Sequence, residues 1–115
     1  MIQNEKPRLV NAGQGFSHLN TVEYKGRFLY SKYNPVRAIE TLIDSLEILP
    51  GTLVVVFSPL LWYGFEKLVA KMSENCRIIA IEGDGQLEAI ARDSSVPFHH
   101  DRFEGLFNIK NTADI

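Results

Sequence analysis

Two acidic side chains follow an apolar run in a position where nucleotide-binding proteins carry a ligand contact. The run RIIAIE at residues 77–82 ends in Glu82, and Asp84 lies two residues further on. A carboxylate at the carboxyl end of a buried parallel strand can accept hydrogen bonds from ribose hydroxyls. Glu82 lies 24 residues after Ser58, which is close to the offset of about 20 residues in the dinucleotide fingerprint. A helical connection of this length occurs in any α/β protein, so a purely structural role stays open.

The segment SPLLWYG at residues 58–64 would face these acids across the same edge of the sheet. We predict Ser58, Tyr63 and Gly64 as ligand-binding residues together with Glu82 and Asp84. A bound phosphate needs small residues that let the backbone approach closely, and Gly64 is the only glycine of this segment, so the usual glycine-rich turn is absent. The aromatic pair at 62 and 63 can form a wall for a base or cap the core, and both alternatives stay open.

The remaining reactive side chains predict neither a catalytic pair nor a metal site. His99 and His100 precede Asp101, but neighbouring side chains on a strand point to opposite faces. Cys76 is the single cysteine, and a thiol just before a buried strand is most often inert. Catalytic groups and cofactors therefore stay unassigned.

These side chains depend on an alternation of strands and helices. Residues 52–57 (TLVVVF) and 77–82 are apolar at almost every position, which predicts neighbouring, central parallel strands covered on both faces. Helices are predicted over residues 60–72 and 86–92. The order β-α-β-α with short connections indicates an α/β fold with a Rossmann-like parallel sheet.

Smaller elements come before this core and after it. Lys25-Gly26 predicts the turn of a small antiparallel hairpin over residues 21–30. Asn34-Pro35 predicts a helix start, and Pro50-Gly51 ends that helix near residue 49. Residues 1–8 are expected to be loosely held. Beyond Ser94 the pattern fits either a last helix or a strand.

Composition narrows the class of protein further. The chain has 115 residues, 45% of them hydrophobic, and a net charge of -2, which predicts one α/β domain over residues 1–115. This charge offers no general attraction to nucleic acid. The sequence has no apolar run of the roughly 18 residues that a membrane span needs, so neither nucleic acid nor membrane is an expected partner. The single cysteine is typical of a reducing cytoplasm.

The block LYSKYNP at residues 29–35, the following amphipathic helix, residues 52–57, Tyr63-Gly64 and the segment IAIEGD at 79–84 together resemble a known family. It is the family of motility-associated, flagellin glycosyltransferase-like proteins, also called motility accessory factors. The likeness spans residues 20–91, and SKYNP directly before a helix is its most specific part. Family members are several times longer, so the resemblance implies that this chain is the N-terminal portion of a larger protein.

The resemblance also implies what the larger protein does. The family's central domain is similar to archaeal 6-hydroxymethylpterin diphosphokinases and, in fold, to sialyltransferases, and it is linked to transfer of nonulosonic sugars from a cytidylyl-activated donor onto flagellin. We expect an accessory or binding domain that contacts a nucleotide-sugar and associates with the rest of its protein or with itself. On its own it is expected to be inactive. A methyltransferase-like nucleotide-binding domain and a structural oligomerisation module are the alternatives.

Overall fold

Two three-stranded sheets and three α-helices make up the fold. The computed structural model describes residues 6–13, 19–95 and 97–109. In chain order the elements are β1 (Arg8–Asn11), β2 (Asn20–Tyr24), β3 (Arg27–Phe28), α1 (Arg37–Ser45), β4 (Leu53–Phe57), α2 (Phe65–Lys71), β5 (Arg77–Glu82), α3 (Gly85–Arg92) and β6 (Phe103–Asn108), with a short 3-10 turn at Pro97–His99 before β6.

The antiparallel sheet has the order β1-β2-β3. Its β2–β3 hairpin confirms the prediction: Lys25 and Gly26 form a two-residue turn with φ of 53° and 77°, the positive values that favour tight hairpins. The segment over residues 1–8 that was predicted to be loosely held overlaps β1 at Arg8. Arg8 pairs with Glu23 in the ladder, and their side chains form an ion pair; Met1 to Glu5 lie outside the described residues.

The second sheet is parallel, with the order β4-β5-β6. β4 pairs with β5 in the predicted parallel arrangement, which together with the helices confirms the α/β class. β6 adds a third parallel strand next to β5, so the segment that the sequence left undecided contains a strand. β5 is therefore the central strand, and the prediction that β4 is also central is wrong.

Both connecting helices lie on one face of the parallel sheet. The core cluster joins buried α2 and α3 residues to the β5 and β6 side chains that point the same way, among them Phe65, Leu68, Ile78, Ala80, Ala91 and Leu106. This follows from the strand order, because two right-handed crossovers that advance in the same direction place their helices on the same side. The opposite face receives no helix from the described residues.

Helix α1 is shorter than predicted because a lysine binds its C-terminal end. The Nζ of Lys71 donates to the carbonyl oxygens of Ile43, Asp44 and Leu46 at 2.9, 3.0 and 2.7 Å. The Ile43 carbonyl also accepts from the Leu46 N–H at 3.0 Å, and the last carbonyls of a helix otherwise have no partner within it, so the ammonium group stabilises an end at Ser45 rather than at residue 49. At the other end the N-cap position is Val36, without a side-chain cap, so the predicted Asn34 cap does not form.

Helix α2 also begins later than predicted, at Phe65 instead of residue 60. Leu60, Trp62 and Gly64 have φ of 47°, 60° and 83°, and this left-handed backbone cannot continue a right-handed helix. Helix α3, in contrast, starts next to the predicted position because Asp84 caps it. Within the described part of the chain, no helix has the length and apolar character that crossing a bilayer requires.

Candidate functional site

The predicted ligand-binding residues cluster at the carboxyl end of the parallel sheet. Glu82 is the last residue of β5, and the loop of residues 58–64 leaves the end of β4 beside it. The Ser58 N–H donates to the Ile81 carbonyl at 2.9 Å, which holds the start of the loop against β5. The edge thus contains the positions that nucleotide-binding α/β proteins use for ligands.

The antiparallel sheet is tied to this loop by two tyrosines. The Tyr63 hydroxyl donates to the carbonyl of Asn20 at 2.6 Å and accepts from the N–H of the same residue at 3.0 Å. The Tyr30 hydroxyl donates to the Pro59 carbonyl and accepts from the Leu61 N–H, both at 3.2 Å. Burial raises the pKa of Tyr30 to about 12. The Tyr63 hydroxyl therefore ties the loop after β4 to β2. This structural role explains a tyrosine at position 63 without any ligand.

Asp84 uses both carboxylate oxygens inside the fold. Its Oδ1 accepts from the N–H groups of Gln86 and Leu87 at 2.8 and 3.2 Å, capping α3. Its Oδ2 accepts from the Tyr24 hydroxyl of β2 at 2.8 Å. Burial acts to raise the pKa of Asp84, but the hydrogen bonds from Tyr24 and the two N–H groups outweigh it, and the pKa lies below its ordinary value. Asp84 thus links α3 to the antiparallel sheet.

Glu82 is a predicted site residue with a buried acceptor that has no hydrogen-bond partner. The residue is only 3% exposed, its Oε2 accepts from the Asp84 N–H at 3.0 Å, and its buried Oε1 has no hydrogen-bond partner. Asn108, its register partner on β6, likewise has a buried Oδ1 without a partner, while its Nδ2 donates to Glu88. Two unpaired acceptors at the ends of adjacent strands can receive hydroxyl or ammonium donors.

Gly64 is explained by helix packing. An ideal Cβ on this residue would lie 2.7 Å from Ile43 Cδ1 and 3.3 Å from Ile39 Cγ1, and its φ is 83°. The absence of a side chain lets α1 approach the start of α2. Ser58, at the other end of the 58–64 loop, is exposed and has a left-handed φ of 51°.

Trp62 caps the core rather than forming a wall for a base. The residue is buried, and its Nε1 donates to the Ala91 carbonyl at 2.8 Å. Its ring meets Phe65, Phe98 and Phe103 edge to face, with centroids 5.3 to 5.9 Å apart. Of the two alternatives given for the aromatic pair, Trp62 therefore takes the core-capping role.

A second candidate site is the uncovered face of the parallel sheet. Its six apolar side chains alternate with those of the core, and they are Leu53, Val55, Phe57, Ile79, Ile81 and Phe107. Phe57 is 72% exposed and Phe107 is 50% exposed. We call these six residues the open face. Parallel sheets are almost always covered on both faces, and a contiguous apolar surface marks an interaction site.

Among the described residues the prediction that β4 is covered on both faces is therefore wrong, since Leu53, Val55 and Phe57 are exposed. Predicting the open face requires the strand order. That order depends on whether the segment after Ser94 forms a third strand, which the sequence left undecided. Asn108 was missed for the same reason. The described residues contain no group of three or more His, Cys, Asp or Glu side chains that could hold a metal ion.

Comparison with known proteins supplies one relative and no assigned activity. No family model matches the chain, and no solved structure matches it. A protein of Treponema pallidum (strain Nichols) that carries the name "Uncharacterized protein" is 36% identical over 81 residues, which cover 70% of this chain and 13% of that protein. The chain therefore spans a small part of the length of this relative.

Proposed function

We propose that this chain is an accessory docking domain of a motility-associated glycosyltransferase-like protein. In this proposal the parallel sheet is one half of a Rossmann-like core, and the open face is the surface that binds the rest of the protein. Transfer of the sugar is assigned to the rest of the protein. The open face is the observation that carries this proposal.

The topology favours helices as the cover of that face. In doubly wound sheets the strand order reverses at the first strand, and the second half places its helices on the side that the first half leaves bare. Here the first three strands advance in one direction only, with α2 and α3 on the same side. The six side chains of the open face are apolar, so burying them against helices removes apolar area from water. Arg77 lies on the same side at the start of β5, where it pairs with Glu104 at the border of this surface.

The rest of the same polypeptide is a better cover than a second copy of this chain. In each copy α2 and α3 already face their own sheet, so a second copy has few apolar helices to offer. The Treponema relative contains the matching segment within a much longer protein, which supports a setting with further chain available. Homo-oligomerisation is kept as an outcome that light scattering would reveal.

The decisive experiment places a charge on the open face in the bacterium that encodes this chain. We expect Phe107→Asp to abolish sugar attachment, lowering the intact mass of flagellin, because an aspartate buried at a docked interface costs several kcal/mol. The matched control is Phe28→Asp, which alters a phenylalanine that is 44% exposed on the other sheet and should leave flagellin unchanged. Thermal melts of both purified variants check that they fold. Flagellin of unaltered mass with a folded Phe107→Asp variant would contradict the proposal.

A second role is contact with the nucleotide-sugar donor. It is favoured by two buried acceptors without a hydrogen-bond partner, Glu82 Oε1 and Asn108 Oδ1. We expect calorimetry with a cytidylyl-activated nonulosonic sugar to show binding that Glu82→Gln weakens by about 1.5 to 3 kcal/mol, as for a hydrogen bond to a charged acceptor. S-adenosylmethionine in place of the sugar nucleotide tests the methyltransferase-like alternative. Equal affinity of both proteins for the sugar nucleotide would leave Glu82 as a residue that only orients the start of α3.

A further inference from the structure

An apolar groove of about 340 Å³ runs between helix α1 and strand β4. Its walls include Ile39 and Leu42 of α1, Leu46 directly after α1, Val55 and Phe57 of β4, and Leu68 of α2, and no charged residue lines it. Leu42 and Leu46 are exposed in the structure. The groove is therefore an apolar trough beside an edge strand, and its occupant must be uncharged where it touches these walls.

The backbone of β4 presents unpaired groups along this edge. The Arg77 N–H donates to the Thr52 carbonyl at 3.1 Å, and the Ser58 N–H donates to the Ile81 carbonyl at 2.9 Å. In a parallel ladder alternate residues point both their N–H and C=O toward the same neighbour. Residues 52, 54, 56 and 58 therefore face β5. Leu53, Val55 and Phe57 turn their backbone groups away from it, and within the described residues β4 pairs with no other strand.

The sequence of β4 lacks the features that usually prevent an exposed edge strand from pairing with another strand. Solvent-facing edges usually carry a lysine, a proline, an inward charge or a bulge. Leu53–Phe57 reads LVVVF and has none of these, and its ladder with β5 is regular. An unprotected, β-branched edge beside an apolar trough is typical of a strand that a further strand completes.

We propose that the groove receives an extended apolar segment of the larger protein, which adds a fourth strand to the parallel sheet by pairing with β4. This inference rests on the docking function proposed above and names the form of the partner at one edge. A strand satisfies the free N–H and C=O groups of Leu53, Val55 and Phe57, whereas a helix in the groove would leave them unpaired. Its side chains would cover Leu42 and Leu46.

A second copy of this chain fits the groove less well. If the β4 strands of two copies paired, each would bring its own α1, because α1 lines the groove beside β4 in every copy. The two α1 helices would then compete for space above paired strands. A single extended segment brings no such element, and we therefore assign the groove to a segment of the larger protein.

The test uses a proline that blocks the edge without disturbing the ladder. Val55→Pro removes an N–H that points away from β5, a position that edge strands tolerate, while the control Val56→Pro removes a bond to β5 and should destabilise the chain. The probe is a phage library of random twelve-residue peptides selected on the immobilised wild-type chain. We expect enriched peptides with apolar residues at every second position, and we expect Val55→Pro to weaken their binding by about tenfold or more.

A measurement without a variant accompanies this selection in case Val55→Pro fails to fold. A bound peptide should slow amide hydrogen exchange at Leu53, Val55 and Phe57 while leaving α3 unchanged. Enrichment of peptides with apolar residues every three or four positions would indicate a helix and overturn the proposal, as would the absence of enrichment. A wild-type dimer that Val55→Pro converts to a monomer would assign the edge to a second copy. Phe107 does not line the groove, so its substitution tests the docking function separately. If Phe107→Asp abolishes the flagellin glycan but no peptide is enriched, the added strand is refuted while the docking function is supported.

Discussion

Ile78→Asp is expected to abolish cooperative unfolding of this chain, whereas Val55→Asp should leave it folded. Ile78 is 0% exposed and lies in the core on the helix-covered face of β5. An aspartate there would be a buried charge without a partner, which costs several kcal/mol or more. Since the total stability of a domain is only about 5 to 15 kcal/mol, this single change is enough to unfold it.

Val55 lies one strand away but faces the other side of the sheet. The residue is 37% exposed, and its register partner Ile79 is on the open face, so a carboxylate at position 55 reaches water. We expect a cost of about 1 kcal/mol, within the range of ordinary surface changes on a strand. Circular dichroism melts compare the two variants. A cooperative melt of Ile78→Asp, or an unfolded Val55→Asp, would show that the two faces have been assigned the wrong way round.

The contrast between these two residues marks how far sequence reasoning reaches. The strands containing them were predicted almost to the residue, because Pro50-Gly51 and Ser58-Pro59 bound the first run and Gly83 follows the second. Their burial was not. Val55 and Ile78 are both β-branched members of apolar runs, and the difference between them depends on which side of the sheet the crossover helices occupy. The side that the helices occupy is set by the strand order, and this order includes β6. The β6 sequence FEGLFN has no clear alternation of apolar and polar residues, so β6 could not be predicted.

The candidate site shows the same limit. Glu82 and Asp84 were placed at the carboxyl end of β5 from local pattern alone. Their chemistry depends on distant residues, however, since Tyr24 lies 60 residues before Asp84 in the chain and donates to its carboxylate. Tyr63 is similarly occupied by Asn20, 43 residues away. A single sequence carries no signal for such pairs. The Asp84 cap on α3, which was not predicted, is a local feature that an aspartate directly before a helix start can indicate.

The loop between β4 and α2 is where local reasoning failed. The apolar residues of 60–72 recur at helical spacing, so the sequence predicted a helix from residue 60. Three non-glycine residues there, Ser58, Leu60 and Trp62, adopt left-handed backbone, which costs about 1 to 2 kcal/mol for each. The tyrosine hydrogen bonds and the burial of Trp62 in the aromatic cluster supply the compensation, and both are tertiary.

Gly64→Ala is expected to destabilise the chain by about 2 to 5 kcal/mol, the second largest effect that we predict. The left-handed φ of 83° contributes about 1 to 2 kcal/mol of strain for a residue with a Cβ. The Cβ would also lie 2.7 Å from the Cδ1 of buried Ile43, and forcing this contact in a packed core costs about 1 to 3 kcal/mol. The start of α2 and the apolar side of α1 must then separate.

Two other glycines isolate these contributions. Gly26 has a φ of 77° and no atom within 4 Å of an added Cβ, so Gly26→Ala should show the strain alone, about 1 to 2 kcal/mol. Gly85 has the same open space without a positive φ and begins α3, so Gly85→Ala should be neutral or stabilise by up to about 1 kcal/mol. Urea titrations give all three values, provided that the dependence on denaturant is unchanged. If Gly64→Ala costs no more than Gly26→Ala, the contact with Ile43 relaxes freely, and close packing of α1 on α2 is not the reason for glycine at position 64.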